Sequence, residues 1–220
     1  MATISFVPQW FLMYGLGFEL AFAIITLAVS IYSFKVYKLS DQRQSKLFGS
    51  AFLLFSISYF IQFFLNLSIF LELNEEILNL IEFQNLVTIS NLSIFVHMIL
   101  FTLGLVTLVY MVLNIKNKWI YSGMIAISLL FLLLSADKIS FFFILSSFLL
   151  IVISIYYFQH SIEKKNTRSI PVVIAFFFLL IGHIHFIFLN NHEIEYVLGS
   201  FLELAAYILI LVNLLKVLKK

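Results

Sequence analysis

The chain has no cysteine, only two prolines and seven glycines, and few charges for its 220 residues. Without cysteine there is no disulfide framework, no thiolate metal site and no cysteine nucleophile, and the redox compartment stays open. The prolines, Pro8 and Pro171, stand near the ends of apolar runs, so no run carries a proline hinge at its centre. Thirteen lysines and arginines against eleven aspartates and glutamates leave a net charge of +2, too small to mark a nucleic-acid binder. Charged residues make up 11% and hydrophobic ones 63%. With a mean hydropathy of +1.10, the chain has too little polar surface for a water-soluble globule and belongs in a lipid bilayer. Met1 to Gln9 contains no lysine or arginine, so it lacks the basic start of a removable signal peptide and reads as part of the mature protein.

What is present is a succession of long apolar runs. Seven of them lie near the length of about 20 residues that a helix needs to cross the hydrocarbon. They are Trp10 to Phe34, Leu47 to Phe70, Val87 to Ile115, Trp119 to Ser135, Ile139 to Phe158, Ile170 to Leu189 and Tyr196 to Leu215. The strict alternation of a membrane β-barrel is missing. The fold class expected is all-α, a single seven-helix transmembrane domain.

The basic residues orient it. Lys35, Lys38, Arg43 and Lys46 follow the first run, Lys116 and Lys118 the third, Lys164, Lys165 and Arg168 the fifth, and Lys216, Lys219 and Lys220 the seventh. Lys138 alone falls on the other side. The positive-inside rule then puts the N-terminus outside and the C-terminus in the cytoplasm, in the plasma membrane. The acidic stretch Leu71 to Leu86 reads as an amphipathic segment lying on the outer surface.

A shift of 124 positions lays Ser30, Ile31, Tyr32 and Phe34 on Ser154, Ile155, Tyr156 and Phe158. It continues to Ala51 on Ala175, Phe52 on Phe176, Ile57 on Ile181 and Asn66 on Asn190. This suggests two parallel three-helix copies, about 10–115 and 139–215, joined by a linker helix at 119–135 that restores orientation.

Ionisable and amide side chains inside the runs mark the candidate site, because such groups are costly at bilayer depth unless they find a partner or a wet cavity. Counting about 1.5 Å per residue from each midpoint puts Glu19, Gln62, His97, His183 and Glu203 at one level, roughly 5 Å to the outer side of the midplane. Asn66, Asn91 and His185 lie above them. The expected ligand-binding set is Glu19, Gln62, Asn66, His97, His183 and Glu203, facing outward, with His97, His183 and Glu203 as candidate metal ligands and no catalytic residue assigned.

Glu and His supply oxygen and nitrogen ligands for a transition metal, and together they can relay protons. Haem between His97 and His183, with Gly104 and Gly182 leaving room, is a further option. Alternatively, the same groups serve only as interhelical hydrogen-bonding glue. His183 and His185 point about 200° apart on a helix, so only one faces a common centre. His160 and His192 read as solvated loop residues.

The helix count and the outside N-terminus resemble rhodopsins and seven-helix sugar transporters. A retinal Schiff base needs a lysine in the seventh helix, and none lies between Tyr196 and Leu215. The sugar carriers' proline hinges are missing too, so the resemblance stops at topology.

The function expected is an integral-membrane ligand- or metal-binding module, a sensor or a subunit of a larger assembly, more in keeping with a non-enzyme. The alternatives are a small-solute or ion transporter, or a membrane metalloenzyme. Its partners would be the bilayer and a second protein or a further copy of itself, with no nucleic acid.

Overall fold

The computed structural model describes residues 12–73, 80–163, 170–187 and 193–218. Seven helices account for them: α1 Leu12–Ser40, α2 Arg43–Leu73, α3 Leu80–Val112, α4 Lys118–Leu134, α5 Lys138–Glu163, α6 Ile170–Ile187 and α7 Glu193–Leu218. Six are long and apolar enough to cross a membrane, whereas α4 has 17 residues. The chain is a polytopic helical membrane protein.

Two tight turns owe their shape to residues that tolerate a left-handed backbone. Asp41 (φ 51°) and Asn114 (φ 50°) end α1 and follow α3. There the Asp41 N–H donates to the Tyr37 carbonyl at 2.8 Å, the closing bond of a left-handed helix cap. Asn117 caps α4, its side chain accepting from the Trp119 N–H at 2.9 Å.

The helices close into a ring. α1 packs on α2, α2 on α3, α3 on α5, α5 on α6, α6 on α7, and α7 returns to α1, while α4 lies outside against α3 and α5. The centre is filled by Phe52, Phe55, Phe101, Phe176, Ile210 and Tyr207. In lipid the drive between helices is close packing and polar contact rather than the hydrophobic effect. Accordingly, Ser30 Oγ donates to the Gly49 carbonyl at 2.8 Å and Ser56 Oγ to the Ala23 carbonyl at 2.9 Å, holding α1 on α2. The outward faces, with Ile24, Phe64, Phe148 and Phe201, are apolar and suit acyl chains.

Although short, α4 runs the depth of the bundle. Tyr121 near its start stacks on Tyr110 at the end of α3 (4.6 Å), and Phe131 near its end meets Phe141 at the start of α5 (6.4 Å). Phe142 of α5 lies 6.0 Å from His97 of α3, while Met111 and Val112 share one cavity with Tyr156 and Tyr157. Hence α3 and α5 are parallel, and α4 must return between their ends. Its 17 residues cover about 26 Å, at the short limit for a spanning helix.

The stretch read from sequence as a surface segment, Leu71 to Leu86, is largely a continuation of the bundle. α2 runs on to Leu73 and α3 starts at Leu80, with 74–79 outside the described residues. Backbone hydrogen bonds within a helix do not depend on hydropathy, so both helices carry on past the apolar run. His160 likewise belongs to α5, not to a loop. It stacks on Tyr156 at 5.8 Å. His192 and Asn190 fall outside the described residues.

Candidate functional site

Glu203 of α7 is the hub. Its Oε1 lies 3.4 Å from His183 Nε2 of α6 and accepts a hydrogen bond from the Tyr59 hydroxyl of α2 at 3.2 Å. The Tyr59 and Tyr207 hydroxyls are 2.9 Å apart. Tyr207 follows Glu203 by four residues, so both project from one face of α7. His183 is 2% exposed and Glu203 5%. Among the described residues, neither ring nitrogen of His183 has a hydrogen-bond partner. Gly182 lets α6 come this close, since a Cβ there would stand 3.1 Å from the Gly199 carbonyl.

His97 joins this cluster only through aromatic rings. Its Nδ1 is 2.8 Å from Ser58 Oγ. Its ring contacts Tyr59 at 5.2 Å and Phe101 at 5.4 Å. Phe101 in turn lies 5.2 Å from His183, and Phe142 touches both histidines. Two phenyl rings therefore stand between the imidazoles. Among the described residues no three His, Cys, Asp or Glu side chains approach closely enough to hold a metal ion, so the expected set of His97, His183 and Glu203 does not form a three-ligand centre. Haem fits no better: the space beside Gly104 is taken by the Phe55 ring, and that beside Gly182 by α7.

Glu19 and Asn66 form a separate pair between α1 and α2, Asn66 Nδ2 donating to Glu19 Oε1 at 2.7 Å. Gln62 lies one turn along α2, its buried Oε1 without a hydrogen-bond partner among the described residues. Tyr196 of α7 is within electrostatic reach of both Glu19 and Glu203. His185 points away from His183 and pairs with Glu195, both partly exposed, as the angle between neighbouring helix positions requires.

Sequence reasoning missed Tyr59 and Tyr207, the two hydroxyls that tie Glu203 to α2. The available signal was their position well inside apolar runs, since a tyrosine serving as an interfacial anchor sits near a span's end.

A second polar feature lies at the basic end, where a cavity of about 290 Å³ is bordered by all the ring helices except α6. Ser33, Gln42, Ser45, Tyr156 and His160 give it a hydrogen-bonding wall. Beside it, Arg43 Nη2 donates to the Tyr110 hydroxyl at 2.6 Å and the Ile115 carbonyl at 2.9 Å. Compared with protein-family models, curated proteins and solved structures, the chain matches none.

Proposed function

We propose that the chain is an integral-membrane binding module whose working centre is Glu203, His183, Tyr59 and Tyr207, acting as a sensor or as a subunit of a larger membrane assembly. One observation carries this reading: a carboxylate and an imidazole from adjacent helices meet in a nearly sealed interior, with the imidazole's Nδ1 left for a further partner. A buried ionisable pair is weak evidence for stability, because desolvation offsets most of its attraction. Inside a membrane it points instead to a site. A proton has two resting places here, Glu203 and His183, and two hydroxyls in line to pass it on. A ligand that occupies His183 changes which one is filled.

A transporter of small solutes or ions is the second reading. Supporting it, the cavity at the basic end opens opposite the Glu203 level. The ring order also lets α1–α3 and α5–α7 be two copies, α3 meeting α5 as α7 meets α1. Residues matched by the shift of 124 share environments: Ala51 and Ala175, Phe52 and Phe176, and Ser30 and Ser154 are buried, while Ile57 and Ile181 are 40% and 41% exposed. We read the two triplets as a parallel duplication with α4 as linker.

Infrared difference spectra of the purified protein between acid and alkaline pH test the centre. A carboxyl band lost in Glu203→Gln and shifted in His183→Phe and Tyr207→Phe is expected. Spectra identical in all four proteins would defeat the reading.

A further inference from the structure

Glu19 poses a problem that its neighbours do not solve. It is 7% exposed, and only one of its oxygens is satisfied, by Asn66. Among the described residues its Oε2 has no hydrogen-bond partner, and neither has Gln62 Oε1, both atoms being buried. The α1–α2 register pairs Ala23 with Ser56 and Glu19 with Asn66. It therefore puts Gln62 within a turn of Glu19, on the same face of α2 as Asn66.

Both unsatisfied atoms are acceptors, so these two atoms cannot satisfy each other. On the adjoining α7 the titratable side chain within electrostatic reach of Glu19 is Tyr196, an acid, which also reaches Glu203. The imidazole of His183 faces Glu203 instead. Among the described residues Glu19 has no ion-pair partner. Aromatic rings flank it: Phe18 meets the outward-facing Phe201 at 5.0 Å, and Phe22 meets Tyr59 at 5.1 Å.

A bare carboxylate in such a place is costly, and a single small cation cancels its charge while giving both acceptors a partner. We infer that Glu19, Gln62 and Asn66 form a site for an exchangeable small monovalent cation, a proton or a sodium ion, distinct from the Glu203–His183 centre. A proton on Oε2 makes the carboxyl a donor to Gln62 Oε1. A sodium ion, which prefers oxygen ligands, takes both oxygens directly. The inference deepens the binding-module reading by naming an ion that the polar layer takes, and it rests on a different carboxylate.

The test is the melting temperature of the full-length protein in detergent, with sodium chloride exchanged for choline chloride at constant ionic strength, at acid and at alkaline pH. With the ion about a hundredfold above its dissociation constant, wild type should gain about 5 °C or more. A gain from sodium at alkaline pH identifies sodium; a gain on acidification regardless of sodium identifies the proton. Glu19→Gln, neutral and of the same shape, should respond to neither, and Gln62→Leu should respond less than wild type. A flat response in wild type, or one that persists in full in Glu19→Gln, overturns the inference. A response kept in Glu19→Gln but abolished in Glu203→Gln places the ion on Glu203, overturning this inference while leaving the proposed centre standing.

Discussion

Gly104→Ala is the substitution for which the packing gives a definite sign and size. The methyl it adds would collide with the Phe55 ring and stand 3.1 Å from the Ala51 carbonyl. Neither neighbour can yield easily. The carbonyl is backbone, and Phe55 is held between Phe52 at 5.3 Å and Phe101 at 4.6 Å. Relief therefore requires α3 to retreat from α2, which also loosens Ser58 on His97 and Tyr59 on Phe101. Overpacking of a filled core costs about 1 to 3 kcal/mol, and an immovable neighbour puts this case near the upper figure.

For a chain of this size each kcal/mol moves the melting temperature by about 2 to 4 °C, so a fall of roughly 5 to 10 °C is expected. Gly123→Ala is the matched control. A Cβ there meets nothing within 4 Å, and replacing glycine in a helix by alanine gains about 0.5 to 1 kcal/mol. Recovery of monodisperse protein by size-exclusion chromatography after stepwise heating measures both. If Gly104→Ala melts with wild type while Gly123→Ala falls, the close approach of α2 and α3 is wrong.

The other predictions concern the bundle's two ends. Arg43→Ala removes the donor that ties the α1–α2 turn to Tyr110 and Ile115, along with a guanidinium 5.0 Å from the Tyr110 ring. It should cost about 1 to 2 kcal/mol in the same heating assay. Arg43→Lys should recover less than half of that, since a point charge cannot replace a planar fork; full recovery would contradict the geometry. Asp137 is held below the ordinary carboxylate range by hydrogen bonds from Ser140, first its hydroxyl and then its N–H. A depressed carboxylate contributes stability above its unfolded pKa and loses it as pH falls through the folded value. The small gap in melting temperature between wild type and Asp137→Ala should therefore be present at neutral pH and vanish in acid. A gap that widens in acid would refute the cap.

The helices were legible because the signal for a membrane span, about 20 apolar residues, is long and needs no knowledge of neighbours. Their ends were not, because helical hydrogen bonding runs on through Leu71 to Leu73 and from Leu80, where hydropathy falls off. Depth along a span was legible as well, and it brought Glu203 and His183 to one level. Azimuth was not: the direction in which His97 points depends on how α3 is rotated against α2, and that rotation is set by the contact of Gly104 with Phe55. The result puts Phe101 between the two histidines. Tyr59 and Tyr207 escaped notice because a phenol among phenylalanines reads as one more aromatic until its hydroxyl is seen to have a partner.

Among the described residues, the polar contacts between helices in the Glu203 centre all involve α7. Glu203 takes Tyr59 from α2 and His183 from α6, and Tyr207 returns to Tyr59. One to two turns beyond Ile210 the same helix supplies Leu214 and Val217 to the wall of the cavity at the basic end. From Glu203 to Leu214 is about 16 Å along a continuous helix that contains neither proline nor glycine over that length. A helix with no residue to kink it moves largely as a unit. The way Glu203 is held, by an imidazole, a phenol or a proton, is thus also a statement about where α7 sits between α6 and α1. The cavity at the far end is built partly on that seating.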